Sequence, residues 1–489
     1  METLREDLQL EKHRVTATFS LSGLLQWETE HYSFHKDSKG ALDIKNDVIG
    51  FSRGGSSITL HTFNQKSVQC WGSAQKRVER DVTLEFRSNE ACKDWYNAMQ
   101  RVYDNSGRPR RLLVLVNPFG GKNLGKKVFA EVVEPLFKKA GIEITMKETE
   151  HHSHAKELAK SVELSKYDGI VCVSGDGVLT EVVNGLLERA DWEQAIQMPL
   201  GIIPAGTGNG MAKSLLESGN EYFNQANAAF AIIRGCKQTL DVATVVQGQV
   251  KYHSILMLSW GFVADVDFES EKFRSLGDLR IDLWAVVRVL WLREYTGSLA
   301  YIPASGAEKA GEPLTGQEAT SLLERSGESD TDRTWRKGGY YGPTASPLHS
   351  SEWRSIEGTF IYIWAQNVPY AAEEVMPAPK AKFNDGYLDL IVIRNCPRWK
   401  LVGILLGMKN GQHIKSKYVQ YIKVKAFRLA PGGIVGGRIQ GGYIDLDGEV
   451  LARGQGAYGD GSNDPMLYGP TIDITVEKGL ATIFVPPLS

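Results

Sequence analysis

The sequence predicts an α/β domain on a parallel sheet, followed by a β-rich, antiparallel, sandwich-like domain and preceded by a small β-rich module. Three observations carry this fold class. Between residues 112 and 216, strand-like segments, turns and amphipathic helices alternate, as in a parallel sheet covered on both faces. From about Leu240 the texture becomes β-rich, with few helical stretches. Before residue 105, short alternating segments are followed by one amphipathic helix. The expected units are therefore 1–105, 110–239 and 240–489.

In the first unit, VTATFSL, SITLHTF and RDVTLEF read as antiparallel strands between Gly and Ser clusters. SNEACKDWYNAMQRVY (88–103) puts Ala91, Trp95, Met99 and Val102 on one helical stripe. Strands closed by a helix with a central tryptophan resemble, in layout, a pleckstrin-homology-like module; a structural appendage to the next domain is the alternative reading. DNSGRPRR (104–111) is a linker. Next, LLVLV leads to NPFGGK and a helix, ITMKETE to HAKELAKSVEL, GIVCV to SGDG and a helix over 178–189, and PLGIIPAG to TGNGMAKSLL. In the last unit, segments such as KYHSILMLSWGF, GTFIYIWAQN, GYLDLIVIR and TIDITVEKG read as strands, with helices at 280–295 and 399–410. Residues 303–357 are rich in Gly, Ser, Glu and Thr and poor in aliphatics, which predicts a flexible insertion.

Hydrophobic content of 42% and charged content of 23% belong to an ordinary globular chain. A net charge of −2 gives no basic face for nucleic acid. Cys70, Cys92, Cys172, Cys236 and Cys396 are scattered, odd in number and form no CxxC pair, which fits a reducing cytoplasm. No apolar run approaches the ~20 residues of a spanning helix. Any membrane contact is expected to be peripheral. Oligomeric state, a dimer included, is left open.

The glycine-rich turns NPFGGK (117–122), SGDG (174–177) and GTGNG (206–210) each follow a strand of the same sheet. Such turns let backbone N–H groups approach phosphate, and ligands of parallel sheets bind where the strands end. Three together predict one nucleotide-phosphate crevice. Neither GxxxxGK[ST] nor GxGxxG is present. Asp176 sits between Gly175 and Gly177, where an Asx-turn or helix cap is the ordinary reading and a general base the functional one.

NPFGGK, SGDGVLTEVVNGL and PAGTGN, in this order, resemble the diacylglycerol-kinase-type catalytic domain; SWGFVADVDFESEKFR (259–274) and DLDGE (445–449) narrow the resemblance to sphingosine kinases. A β-rich N-terminal module points to a plant-type member. The resemblance implies ATP-dependent phosphorylation of the primary hydroxyl of a sphingoid base, with Asp176 as base among Ser174, Gly175 and Gly177. It implies nucleotide contacts from Asn117, Pro118, Phe119, Thr149, Glu181, Gly206, Thr207, Gly208, Gly448 and Glu449, with Arg274 and Arg280 on the phosphates. Asp447 is the implied Mg²⁺ ligand, direct or through water. Phe119 stands where the animal-type pattern has arginine, so either a charge near the phosphates is missing or Lys122 replaces it, and Thr207 stands for a frequent serine.

Asp267 is implied to contact the amine or a neighbouring hydroxyl of the base, which separates this substrate from ceramide and diacylglycerol. Asp265, read as two residues away on an extended stretch, would face the same way. Phe262 and Val263 adjoin it. Ile281, Trp284, Val287 and Trp291 form one apolar stripe and Leu401, Ile404, Leu405 and Met408 another, ordinarily core but here candidates for a lipid gate. His151, His152 and His154 are expected to be a solvated loop start. The competing readings are a ceramide or diacylglycerol kinase of the same fold, a soluble-substrate relative sharing the Gly-Asp-Gly turn, and an inactive lipid-binding adaptor.

Overall fold

The computed structural model describes residues 3–11, 13–29, 39–65, 77–121, 123–247, 250–277, 279–305, 312–313, 353–437, 442–452 and 471–487. Most of the expected insertion, and Lys122, lie outside these residues, as does the side chain of Arg274. The ends of the insertion are ordered strand: Tyr295–Pro303 pairs antiparallel with Arg354–Phe360.

The N-terminal strands form a seven-stranded antiparallel sheet between Thr3 and Glu85. Helix Asn89–Asp104 closes it, started by Ser88, whose side chain accepts the Ala91 N–H at 3.1 Å. Its buried face, Cys92, Trp95, Ala98, Met99 and Val102, packs on Phe19, Leu25, Leu60 and Leu84. The sheet is not a detached unit. Arg77 reaches Glu221, Phe63 meets Phe230 edge-on at 5.2 Å, and Arg108 donates to four carbonyls between Ile44 and Ile49.

Arg111–Val116, Glu143–Glu148, Gly169–Ser174 and Leu200–Pro204 form the parallel sheet in the order 143–148, 111–116, 169–174, 200–204. Gly169–Ser174 is buried along its whole length, which explains its continuous β-branched run. The fifth neighbour comes from the far end of the chain. Ile472–Phe484 joins parallel to Leu200–Pro204 through Leu200 and Ile483, then runs antiparallel beside Lys237–Gln247 and Val419–Ile434. One continuous hydrogen-bonded path therefore links the parallel sheet to the antiparallel strands Val419–Ile434, Leu388–Ile393, Tyr362–Gln366, Met257–Gly261 and Ile444–Leu446. The strand Lys237–Gln247 runs across position 239/240, so backbone pairing continues through the expected boundary there.

The antiparallel strands bury two unlike faces. Leu258, Trp260, Ile363, Ala365, Leu390 and Val392 line one core. Tyr362, Trp364, Ile391 and Ile393 line the other, covered by helices Phe262–Ser270, Leu279–Leu290 and Arg398–Gly407. Of the two sequence stripes, Leu401, Ile404 and Met408 are buried here, and Ile281 and Trp284 half-buried, so these five serve as core.

Candidate active site

The three glycine turns meet. A Cβ on Gly206 would lie 2.3 Å from the Gly175 Cα, and one on Gly121, at φ +56°, would lie 2.9 Å from the Gly206 carbonyl carbon. Only glycine permits this packing of backbone on backbone. The Asn117 side chain accepts the Phe119 N–H at 2.9 Å, and Asn209, at φ +55°, closes its turn through reciprocal bonds with Gly206 at 2.9 and 2.8 Å. Thr149 is buried beside this edge, its N–H on the Val116 carbonyl. Phe119 is 69% exposed and Thr207 is exposed.

Asp176 opens helix Asp176–Leu187 yet does not cap it. Its carboxylate accepts the Gly210 N–H at 2.7 Å and the Met211 N–H at 3.0 Å, capping the start of the neighbouring helix Gly210–Ser218. The cap and base readings are therefore compatible: two fixed donors aim a buried carboxylate at the junction of the turns. Burial pushes its pKa up to about 6; the two N–H donors oppose this and the nearby Asp447 charge adds to it. A carboxylate of that basicity suits proton abstraction near neutral pH.

Asp447 requires a correction. Its carboxylate accepts from Ser254 Oγ at 2.7 Å, Leu256 N at 3.1 Å and Met257 N at 2.7 Å on one oxygen. The other oxygen accepts from Thr180 Oγ1 at 2.8 Å and Ile255 N at 2.9 Å. Five donors fill the roughly four lone-pair sites of a carboxylate. Direct magnesium ligation does not fit this donor set. The residue instead ties the helix of the Gly-Asp-Gly turn to segment 254–257.

Glu181 also carries a structural task. Its two oxygens accept the Ser153 and Ala155 N–H groups, each at 3.1 Å, and so cap helix His154–Ser161, which has no side-chain cap of its own. Each oxygen accepts one N–H and keeps a further acceptor site, so the nucleotide contact expected of Glu181 is compatible with this structural task.

The second acidic group lies on helix Phe262–Ser270. The segment follows Gly261 at φ +86° and is helical, not extended, so Asp265 and Asp267 point about 200° apart. Asp265 is buried against the Tyr295 hydroxyl and the Tyr443 N–H and does not share the role of Asp267. Burial pushes Asp267 up to about 6, with Arg280 opposing and Glu271 and Glu449 adding to the shift. Arg280, expected on phosphate, is buried and donates to Ser270 Oγ at 3.2 Å and Glu271 at 2.5 Å. Phe262 is core, against Tyr362. Glu449 and Gly448 are exposed at the turn, with Glu449 3.4 Å from His152.

Asp445 was not singled out from the sequence. It is fully buried beside Asp267, and burial raises its pKa well above the carboxylate range. The electrostatic neighbours Asp176–Asp447, Asp447–Asp445 and Asp445–Asp267 thus form a line of carboxylates from the glycine turns to the helix-covered face of the second sheet. Such a run of carboxylates favours cationic ligands. His151 and His154 stack at 4.7 Å and come near Glu157, but His154 already accepts the Glu150 N–H on Nδ1.

A carboxylate held where strands of a parallel sheet end, backed by an antiparallel sheet with a second buried acid, defines the class of the diacylglycerol-kinase-type lipid kinases. Residues 111–245 match the Diacylglycerol kinase catalytic domain and residues 350–456 the YegS C-terminal NAD kinase beta sandwich-like domain. A putative diacylglycerol kinase from Bacillus anthracis shares the fold, with a TM-score of 0.51 at 19% identity over 78% of this chain and 96% of that one. The chain belongs to the sphingosine kinase family. It is 44% identical over 472 residues to Sphingosine kinase 2 of Arabidopsis thaliana, covering 96% of this chain and 94% of that one. Sphingosine kinase 1 of Homo sapiens is 35% identical over 356 residues, 70% of this chain and 87% of its own.

Proposed function

We propose that this ATP-dependent lipid kinase transfers the γ-phosphoryl group to the primary hydroxyl of a free sphingoid base, with Asp176 as general base and Asp267 as the reader of the amine. The observation that carries this reading is the pair of carboxylates, Asp176 buried and Asp267 half-buried, at the two ends of one run of acidic neighbours. Asp176 lies at the crossing of three phosphate-compatible turns; Asp267 lies on helix Phe262–Ser270, whose apolar neighbours offer an alkyl chain cover. Phosphoryl transfer rests on positioning and charge neutralisation, which these elements supply. Magnesium is retained as the counter-ion that ATP brings, with no residue of this chain assigned to it. The N-terminal sheet and helix are read as a pleckstrin-homology-like module fixed to the kinase.

Asp267→Asn is the test. With sphinganine as acceptor, kcat/KM is expected to fall roughly 10²-fold, since a charge-assisted contact to a desolvated ammonium is lost. An unchanged kcat/KM would remove Asp267 from the site.

No helix among the described residues is long and apolar enough to cross a membrane. Two helices nevertheless turn apolar residues outward. Leu279, Leu283, Val286 and Leu290 lie on one face of helix Leu279–Leu290, and Trp399, Val402 and Leu406 on helix Arg398–Gly407, all exposed. The helices pack on each other over the Asp267 face. We read them as the peripheral membrane contact through which lipid enters. Leu283→Glu with Val286→Glu is expected to weaken binding to phosphatidylcholine vesicles at least about tenfold, at ~1.5–3 kcal/mol per buried side chain. Vesicle binding equal to wild type would count against this face.

A further inference from the structure

We propose that Glu269 is a positioning residue for Asp267: it fixes the rotation of helix Phe262–Ser270 about its own axis, so that Asp267 faces the amine of the base. The inference rests on the substrate reading above and adds to it the group that aims its reader.

Helix Phe262–Ser270 reads FVADVDFES, with Phe262, Val263, Ala264, Val266 and Phe268 spread around its circumference. A helix apolar on every side has no single face to bury, so apolar packing alone does not set its rotation. Turning it by one residue, ~100°, would carry Asp267 out of its place. Polar contacts hold the angle instead. Asp265 and Glu269 stand one turn apart, ~40° from each other around the axis and on the side away from Asp267. Asp265 is buried and accepts from the Tyr295 hydroxyl and, at 3.1 Å, the Tyr443 N–H. One Glu269 oxygen accepts the Trp284 indole N–H at 2.9 Å and buried Arg288 at 3.3 Å; the other accepts from Arg293 at 2.7 Å. Arg293 also lies 3.8 Å from Asp265, which joins the two carboxylates into one clamp.

The donors to Glu269 come largely from the helix with the outward apolar row. On Leu279–Leu290 the N–H-bearing side chains Arg280, Trp284 and Arg288 recur every four residues. Arg280 donates to Ser270 and Glu271, and the other two donate to Glu269, so a polar seam seats this helix on the one that carries Asp267. Charge-assisted bonds have a defined geometry, and setting register is the best-attested use of buried ionic groups. Glu269 is the centre of the seam and of the clamp.

The experiment is a double-mutant cycle on the full chain, with ATP and with sphinganine in mixed micelles. Glu269→Gln is expected to raise the KM for sphinganine about tenfold, inside the ~10²-fold that a misplacement of ~1 Å costs. Because amine binding is common to ground and transition states, kcat and the KM for ATP should stay within about twofold of wild type. In an Asp267→Asn background the same substitution should change kcat/KM less than about twofold, since the group that it aims is already lost. Trp284→Phe removes one donor and keeps a ring beside Phe273. It is expected to raise the same KM about threefold, a low value for one hydrogen bond, and it carries the test if Glu269→Gln does not fold. An unchanged sphinganine KM in either folded variant overturns the inference. So does an equal loss in both Asp267 backgrounds, or a matching rise in the KM for ATP, either of which assigns Glu269 to the fold alone. Wild-type kcat/KM in Asp267→Asn alone defeats the amine reading itself, and this inference with it; an impaired Asp267→Asn beside a normal Glu269→Gln defeats only the inference.

Discussion

Replacing Asp176 by asparagine is expected to lower kcat by roughly 10²- to 10⁴-fold while leaving ATP binding and the unfolding midpoint near wild type. The size follows from losing a general base; the retained fold follows from the surroundings of the carboxylate. An asparagine keeps one acceptor toward Gly210 and Met211 but turns an amide donor against the other N–H. That loss costs ~1–3 kcal/mol. Opposing it is the removal of a buried charge. The folded-state pKa of about 6 lies above the ordinary value of 3.8, so the folded state holds the proton more tightly than the unfolded chain. Ionised Asp176 therefore works against folding above about pH 6, by an amount on the order of 3 kcal/mol, and the penalty fades toward pH 4. The two effects nearly cancel at neutral pH. The same protonation predicts that wild-type turnover falls as pH drops below about 6, measured as kcat against pH. Wild-type activity in the variant would remove Asp176 as the base.

Glu221→Gln is expected to cost about 3–5 kcal/mol of stability, the usual penalty for stranding buried charge. Glu221 accepts from Arg77 at 2.8 to 3.1 Å and from Arg234 at 2.8 Å, and all three residues are buried. Both guanidinium groups also lie over the Phe230 ring, at 5.1 and 4.7 Å. With a neutral partner, two cations remain in one pocket. Because Arg77 belongs to the N-terminal sheet, its docking should loosen first, which limited proteolysis and denaturant midpoints would both register. Burial alone would raise the Glu221 pKa, but Arg77 and Arg234 hold it below the ordinary value. Its contribution is therefore complete above the unfolded-state value near 4.5 and is lost as pH falls through the lower folded value. An unchanged midpoint in the variant would show that the triad does not fix the module.

What the sequence disclosed was what local pattern can disclose. Continuous β-branched runs ending in glycine marked the parallel sheet, and the turns 117–122, 174–177 and 206–210 marked the crevice, because backbone close approach demands glycine wherever it occurs. Partners distant along the chain were not legible. Ser254 and Asp447 are 193 positions apart, so a saturated carboxylate looked like an open ligand. The capping task of Glu181 was hidden for the same reason, since the helix start that it caps lies 26 positions earlier. FVADVDFES alternates like a strand but forms a helix, because Gly261 turns the chain and Phe262 and Val266 pack against the second sheet. The outward row Leu279, Leu283, Val286 and Leu290 was present in the sequence but hidden by a second stripe on the same nearly all-apolar helix. Closure of the parallel sheet by Ile472–Phe484 left no local sign at all.

The central claim is that the acidic line from Asp176 to Asp267 makes the chain a kinase of free sphingoid bases. Its most direct test is transfer of label from γ-labelled ATP by the purified chain to sphinganine, ceramide and diacylglycerol presented in identical micelles. Label on sphinganine, with none on ceramide or diacylglycerol, is the predicted result. Label on diacylglycerol alone would contradict it.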